Sequence, residues 1–528
     1  MLGYVHFDRS GVTNNRTEIL VSREKIGELV RNKYVRITNP ADNSGNAREF
    51  LGRIVEGPFY NPEEVGRDSA LAQTSILKGE SFPAVPNYYA VGGIEILGEL
   101  RNWAVYGTAT RPAPQSKVED ITSDDIRRLL KIGGDALLGT LDGYPDIQVC
   151  LQTQEKKVIP RNLGIFGTVG SGKTNTAQVI IEEASQSGYA VVILDVEGEY
   201  VRLDKPSDET NLHELLKTFD YTPSGLVNFE VFYPTAGECS REDAIPFTIR
   251  TQDLDPLIIS ELIEAEEAQE RRLLDVVESL RKRKKEEKGV KEDTLRGTIS
   301  RGNRDGVTYT LNDIIKECAV RADEGRGADK ASYYALMGKL GGINRTRAFD
   351  VKDTETINAK ELLQEGRVTV FDVSGCADRL KNIVIYDLLS KVFNEKLSGN
   401  PIKALIVIEE AHSFISREKS SRMSETIEML REIARRGRKR WLGLCFISQQ
   451  PSHLPNEIFE LCNTRIVHTI KSHANLNALK LTAGDVSEEM WNNVPSLGTG
   501  QAVVSSPQLR DPIVVNVRPC KTKREFVD

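Results

Sequence analysis

No stretch of the 528-residue chain approaches the roughly 18 to 20 uninterrupted apolar residues needed to cross a bilayer, and the mean hydropathy is -0.35, so no membrane partner is expected. Met1-Leu2-Gly3-Tyr4-Val5-His6-Phe7 lacks the basic flank and apolar run of a secretory signal. Cysteine is scarce: seven are present, an odd number, and no two form a C-x-x-C pair. That argues against a disulfide framework and structural zinc and predicts reduced thiols in a cytoplasm. The six histidines are dispersed without an H-x-x-x-H pair, and no Ser-His-Asp or Cys-His constellation stands out. Nothing in the chain therefore reads as a protease, nuclease or NAD-hydrolysing site. Internal repeats and low-complexity segments are absent as well. The net charge of -7 opposes a protein that coats nucleic acid with its whole surface, yet leaves room for a basic channel inside an acidic shell.

What is present is a globular composition, 39% hydrophobic and 28% charged. At roughly 150 residues per domain the length suggests about three or four units. Residues 1–105 carry short β-rich runs, among them Tyr34-Val35-Arg36-Ile37-Thr38 and Phe50-Leu51-Gly52-Arg53-Ile54-Val55, separated by polar turns, and predict a small β-barrel. Residues 106–120, with Pro112 and Pro114, read as a linker. Residues 121–252 and 361–528 alternate strands and helices and predict one α/β core in two parts, the second ending in a hairpin and tail. Its strands include Gln148–Leu151, Leu163–Phe166, Ala190–Leu194, Val368–Phe371, Ala404–Ile408 and Leu442–Ile447. Continuous apolar runs of this kind fit parallel strands buried on both faces. Residues 253–360 read as a helical insertion, with Leu262, Leu273, Val277 and Leu280 on one stripe. The run Arg281-Lys282-Arg283-Lys284-Lys285 runs straight into Glu286-Glu287, which favours a solvated helix end over a DNA contact.

Gly167-Thr168-Val169-Gly170-Ser171-Gly172-Lys173-Thr174 matches G-x-x-x-x-G-K-[ST], follows an apolar strand and opens a helix. Such glycines let backbone amides turn inward around phosphates at a helix N-terminus. Lys173 is expected to reach the β- and γ-phosphates of ATP, and the Thr174 hydroxyl to sit on Mg²⁺. The strand Ala404–Ile408 ends in Glu409-Glu410, one acid for the metal shell and the next as general base. A strand of this kind usually ends in Asp-Glu. Glu409 adds a methylene, which predicts a metal contact through water. Asp195, at the end of an earlier strand, is expected either at the same crevice or capping its own turn. Gln449, after Ser448, is a candidate γ-phosphate sensor or a plain strand-end amide. Arg435-Arg436-Gly437-Arg438-Lys439-Arg440 would serve as an arginine finger toward a neighbouring subunit, a DNA contact or a solvated face. Arg161, just before the P-loop strand, is a second finger candidate. His412 has little to recommend it as a metal ligand.

The order of these motifs resembles the additional-strand, catalytic-glutamate branch of P-loop ATPases with a RecA-like core, and within it the HerA family of the HerA–FtsK superfamily. The matching stretches are 161–174, Leu194-Asp195-Val196-Glu197-Gly198-Glu199-Tyr200, Val407-Ile408-Glu409-Glu410-Ala411-His412, 435–451 and 497–504. Two departures are Glu409 for Asp, and Gln450 where the family often has Arg before the Pro. The resemblance implies an ATP-synthase-like N-terminal barrel. It also implies a cis site of Lys173, Thr174, Asp195, Glu409, Glu410 and Gln449, with Arg161 and one of Arg435, Arg436 and Arg438 acting in trans.

It further implies a homo-hexameric ring that translocates on or unwinds double-stranded DNA beside a separate effector. That effector would be a NurA-type nuclease, another nuclease or a sirtuin-like NAD hydrolase, in DNA repair or antiviral defence. An assembly ATPase that licenses such an effector without processive translocation is the alternative. For an acidic chain to hold DNA, its cations must converge in a pore. Arg417, Lys419 and Arg422, beyond the paired acids, are the candidates.

Overall fold

The computed structural model describes residues 1–7, 15–41, 47–62, 88–107, 110–288, 307–413 and 424–525, and they form two units. The first comprises residues 1–151, 484–494 and 502–516. Its strands are β1 (Gly3–Val5), β2 (Arg16–Val21), β3 (Tyr34–Thr38), β4 (Glu49–Pro62), β5 (Tyr88–Arg101), β6 (Ala104–Tyr106) and β7 (Lys117–Asp120), followed by β8 (Ala136–Leu141) and β9 (Tyr144–Leu151). Strict alternation sets the barrel's inside. Along β2, Thr17, Ile19 and Val21 are buried while their neighbours are half-exposed. Six strands follow the order β2-β1-β7-β3-β4-β5 and close through the β2–β5 pairing, with β6 added beside β5. Ile19, Val35, Ile37, Phe50, Ile54, Ile94 and Val118 pack in the interior.

Two expectations change here. The segment 106–120 is not a linker to its end, because Lys117–Asp120 is β7, paired between β1 and β3 with Val118 in the barrel core. Pro112 and Pro114 precede that strand and do not interrupt it. Gln148–Leu151 is a strand, as expected, but it is the end of β9, which runs antiparallel to β8 in this first unit.

The second unit comprises residues 152–483, 495–501 and 517–528. Its strands are β10 (Leu163–Phe166), β11 (Ala190–Asp195), β12 (Phe229–Pro234), β13 (Ile245–Thr248), β14 (Glu355–Thr356), β15 (Val368–Asp372), β16 (Ala404–Ile408), β17 (Leu442–Ser448) and β18 (Thr464–Val467). They lie in the order β14-β13-β12-β15-β11-β16-β17-β10-β18. Every described pairing among them is parallel. Residues of β11, β15, β16 and β17 are buried throughout, as strands covered on both faces require. β17 stands between the P-loop strand β10 and the acid-ended strand β16, so it is the additional strand. The chain then returns to the first unit, where β19 (Gln501–Ser505) and β20 (Ile513–Val517) give the order β19-β20-β8-β9.

Most described residues of 253–360 lie in the helices Pro256–Leu262, Glu267–Lys288, Leu311–Glu324 and Ala328–Asn344. Leu262, Leu273, Val277 and Leu280 are buried together with Ile314, Leu336 and Leu340. A reciprocal capping box of Thr310 and Asp313 starts the third helix. Within the basic run, Arg281 donates to the Tyr309 hydroxyl at 2.9 Å and Arg283 pairs with Glu317 at 2.7 Å. Part of the run is thus spent on contacts inside the chain.

Candidate active site

In an open parallel sheet the binding crevice lies beyond the carboxyl ends of the strands. There, Gly167–Thr174 joins β10 to the helix Lys173–Gln186. Gly170 and Gly172 have φ of 72° and 107°, a region that favours glycine. A Cβ on Gly167 would lie 2.6 Å from Ser171 Oγ and 2.7 Å from His468 Cβ. The loop is therefore glycine-built for steric reasons. Lys173 Nζ donates to the Thr168 carbonyl at 3.1 Å. Burial pushes the Lys173 ammonium pKa down, against the opposing pull of Glu410, Glu199, Glu409 and Glu197. Thr174 Oγ1 donates to Glu199 Oε2 at 2.9 Å.

Beneath the loop is a residue the sequence did not single out. His468 is fully buried, with Nδ1 2.9 Å from the Gln501 carbonyl and Nε2 2.9 Å from Thr176 Oγ1. A carbonyl only accepts, so Nδ1 carries the proton and Nε2 accepts from the threonine. Burial brings the imidazole down to about 4, which keeps the ring neutral.

Glu409 and Glu410 follow β16 and are buried, at 3% and 4% exposure. Burial, and then the adjoining Asp195 carboxylate, raises the Glu409 carboxyl well above the usual range. Glu409 hydrogen-bonds Asp195, while its Oε2 has no partner among the described residues. Glu410 has a φ of 38°, backbone strain of the kind that collects at functional sites. Its Oε2 accepts from the Gln449 amide at 3.2 Å and lies 3.0 Å from His412 Nδ1. His412 is thus a neighbour of the acid, and the same Nδ1 lies 3.3 Å from Ser448 Oγ.

Asp195 requires a correction. It is fully buried and does not line the crevice. Its Oδ1 accepts from the amides of Glu197, Gly198 and Glu199, at 3.3, 2.7 and 3.2 Å, and Oδ2 from that of Tyr200 at 2.8 Å. The carboxylate caps its own turn, made possible by Gly198 at φ 81°. That turn instead carries Glu197 and Glu199 to the crevice, two acids that the strand-end argument missed. The signal was their alternate spacing after Asp195.

Lys173, Thr174, Glu197, Glu199, Glu409, Glu410 and Gln449 line one cavity of about 540 Å³. Its remaining wall includes Leu212, Leu215, Val517, Pro519 and Cys520. Arg524 also lines it and donates to Glu199 Oε1 at 2.5 Å. The segment that carries Arg524 is fastened to the P-loop helix by the fully buried Arg518, which pairs with Glu182 at 3.0 Å and Glu183 at 2.6 Å. The donor set suits Mg²⁺, a hard cation that takes oxygen ligands. Thr174 offers a hydroxyl, carboxylate oxygens of Glu197, Glu199 and Glu409 lie within 4.8 Å of one another, and Glu409 Oε2 has no hydrogen-bond donor among the described residues.

None of the arginine-finger candidates lines this cavity. Arg161 precedes β10, and 438–440 precede β17, so both stand at the amino ends of parallel strands. The crevice is at the other ends, and β10 alone spans about 13 Å at ~3.3 Å per residue. The Arg161 Nε is buried without a partner among the described residues. Arg435 is exposed, Arg436 pairs with Glu432, and Arg438 Nε donates to the Lys156 carbonyl at 3.1 Å. Arg417, Lys419 and Arg422 lie outside the described residues.

A P-loop at the end of β10, an acid pair at the end of β16 and a strand between them define a P-loop ATPase of the additional-strand type. Among solved structures, VirB4 of Thermoanaerobacter pseudethanolicus shares the fold, with a TM-score of 0.51 at 16% identity over 73% of this chain and 96% of that one. Residues 136–392 match the family described as helicase HerA, central domain, and residues 366–520 the helicase HerA-like C-terminal family. The DNA double-strand break repair helicase HerA of Pyrococcus furiosus is 24% identical over 83% of this chain and 79% of its own length. Its namesake from Saccharolobus solfataricus is 25% identical over 78% and 72%. The chain belongs to the HerA family.

Proposed function

We propose that this chain is a cytoplasmic ring ATPase, a homo-hexamer, that couples ATP hydrolysis to translocation on or unwinding of double-stranded DNA. It would work with a separate effector, a nuclease or NAD hydrolase, in DNA end processing or antiphage defence. Relatives named for double-strand break repair favour the first of these settings. The observation that carries the catalytic part is Glu410, a buried carboxylate held by the Gln449 amide in the same cavity as Lys173.

In this reading the amides of Gly167, Gly170, Ser171 and Gly172 wrap the phosphates, and Lys173 leaves the Thr168 carbonyl to meet the β- and γ-oxygens. Thr174 and Glu409 would hold Mg²⁺. When bound, the metal supplies Lewis-acid stabilisation of the charge that develops on the transferred phosphoryl group. Glu410 takes the proton of the attacking water, and Gln449 reports the γ-phosphate from the neighbouring strand end. Asp195 acts at one remove, by fixing the turn that bears Glu197 and Glu199. Arg161 and one of Arg435, Arg436 and Arg438 reach a neighbour's γ-phosphate. Their position at the amino ends of the strands supports a trans role, since that edge faces away from the chain's own crevice. A heterologous interface whose rotation closes into a ring meets this requirement.

The test is steady-state ATPase with duplex DNA alone, with the co-purifying effector alone, and with both. Stimulation by DNA alone supports the motor. Stimulation by the effector alone, with no DNA binding at low salt, replaces it with the assembly ATPase.

A further inference from the structure

We propose that Glu197, Glu199 and Glu409 form a divalent-cation site that fills before nucleotide arrives. The proposal rests on the ATPase reading of the cavity and adds to it a metal site that does not need the phosphates. The motivation is a charge imbalance. The cavity is lined by five acids, Glu197, Glu199, Glu209, Glu409 and Glu410, and by two cations, Lys173 and Arg524. A pocket so composed repels a polyphosphate unless a cation offsets the acids.

The geometry locates that cation. One carboxylate oxygen from each of Glu197, Glu199 and Glu409 lies within 4.8 Å of the other two. Oxygens on a single Mg²⁺ stand at most about 4.2 Å apart, twice the metal–oxygen distance of about 2.1 Å. Adjacent oxygens of an octahedral shell stand about 3.0 Å apart, so side-chain adjustments of up to about 2 Å close the cluster. An independent sign is Glu409 Oε2: the side chain is 3% exposed and meets a second acid, Asp195, yet no N–H or O–H among the described residues reaches this oxygen. A buried acceptor with nothing to accept from is the state a ligating oxygen has before its ion binds.

The competitors are visible too. Thr174 Oγ1 holds Glu199 Oε2 at 2.9 Å and Arg524 holds Oε1 at 2.5 Å. A cation that takes Glu199 must share an oxygen with one of them, through its second lone pair, or displace it. Thr174 can turn its hydroxyl oxygen to the metal, because its donor contact and its lone pairs lie on the same atom. Arg524 has no atom to offer the metal, and its positive charge opposes the ion for as long as it stays on Glu199.

The experiment titrates Mn²⁺ into nucleotide-free, full-length protein and follows loss of the free-ion electron paramagnetic resonance signal. One Mn²⁺ per chain is expected. Glu197→Gln with Glu199→Gln should weaken it at least tenfold, and Glu209→Gln, an acid of the same cavity outside the cluster, should leave it unchanged. Arg524→Ala should tighten it several-fold by removing the competitor. Lys173→Ala, which loses ATP, should keep the Mn²⁺ site and bind the ion at least as tightly as wild type, since a positive charge beside Glu197, Glu199 and Glu409 is removed. The metal readout is thereby separate from nucleotide binding. Thermal melts of each variant guard against misfolding. Mn²⁺ binding only in the presence of nucleotide overturns the proposal, as does wild-type affinity in the double variant or in Arg524→Ala. Intact ATP hydrolysis with no nucleotide-free Mn²⁺ site removes this inference alone. A triad-dependent Mn²⁺ site in a protein that hydrolyses no ATP removes the ATPase reading and leaves the site standing.

Discussion

Replacing Glu410 by Gln isolates the chemical step, and the surroundings of its side chain explain why. The carboxylate Oε2 accepts from the Gln449 amide at 3.2 Å and lies 3.0 Å from His412 Nδ1. A glutamine of the same length keeps an oxygen for the first contact. The same oxygen can accept from His412 Nδ1 when that nitrogen carries the ring proton, because both contacts fall on Oε2. The left-handed φ of 38° belongs to the backbone and is no worse for Gln than for Glu. Alanine would instead orphan the Gln449 amide at a cost of about 1–3 kcal/mol, mixing stability with catalysis. What Gln cannot do is take a proton. General-base catalysis is worth roughly 10² to 10⁴ in rate, about 2.7 to 5.4 kcal/mol of barrier. The expected outcome is single-turnover ATP hydrolysis slowed by that factor, with equilibrium binding of a fluorescent ATP analogue within a few-fold of wild type. Hydrolysis within threefold of wild type would refute Glu410 as the base. The duty would then fall to Glu409 or Glu197, since four backbone amides occupy Asp195.

Four further outcomes follow from named contacts. His468 titrates at about 4 when folded and near 6.5 when unfolded, so the unfolded chain binds the extra proton between those values. Its contribution, about 3 kcal/mol, is full above pH ~6.5 and is lost as pH falls toward 4. Asp195, raised by burial to about 6, works in the opposite sense, so denaturation of wild type and His468→Gln must be compared across pH. An identical pH slope for the two would exclude His468. Arg518→Met leaves Glu182 and Glu183 buried without their cation and should cost about 3–5 kcal/mol in denaturant melts, with Arg518→Lys a poor rescue because one ammonium replaces a fork. Joint change of Arg417, Lys419 and Arg422 to Ala should weaken DNA binding alike for all sequences and flatten its salt slope, with basal ATPase intact. Unchanged affinity and slope would clear this segment of the grip. Light scattering should report a closed ring, and a fully active monomer at micromolar concentration would contradict the trans arginines.

The fold was legible where the chain's own periodicity decides it. Four apolar runs became β11, β15, β16 and β17 because only strands buried on both faces tolerate such continuity. The helical stripe of Leu273, Val277 and Leu280 was similarly self-declaring. What failed was everything set by partners far along the chain. Lys117–Asp120 looks like the tail of a proline-marked linker, yet it is the strand that joins β1 to β3. Residues 484–494 and 502–516 belong to the first unit although they follow the whole second-unit sheet. No local pattern announces a return across several hundred residues. β9 read as one more strand of the alternating series although a local signal was there: the two-residue turn Asp142-Gly143, with Gly143 at φ 77°, joins it to its antiparallel partner β8.

The site shows the same division at the level of single atoms. The P-loop glycines were readable because the backbone shape they permit is a property of the residue itself. Glu410 was readable because an apolar strand must deliver whatever ends it to the crevice edge. Asp195 ends a strand in the same way, and there the argument stops short. An acid at a strand end can face the ligand or accept from the amides of the turn that follows, and Gly198 tips the choice. With that glycine at φ 81°, the amides of residues 197–200 converge on one carboxylate. Once Asp195 is consumed inside the turn, the residues on the turn's outer side are the ones presented to the cavity. Hence Glu197 and Glu199 line it and Asp195 does not. A strand-end Asp followed three residues later by Gly should therefore be read first as a cap, and the acids on either side of that Gly as the groups delivered.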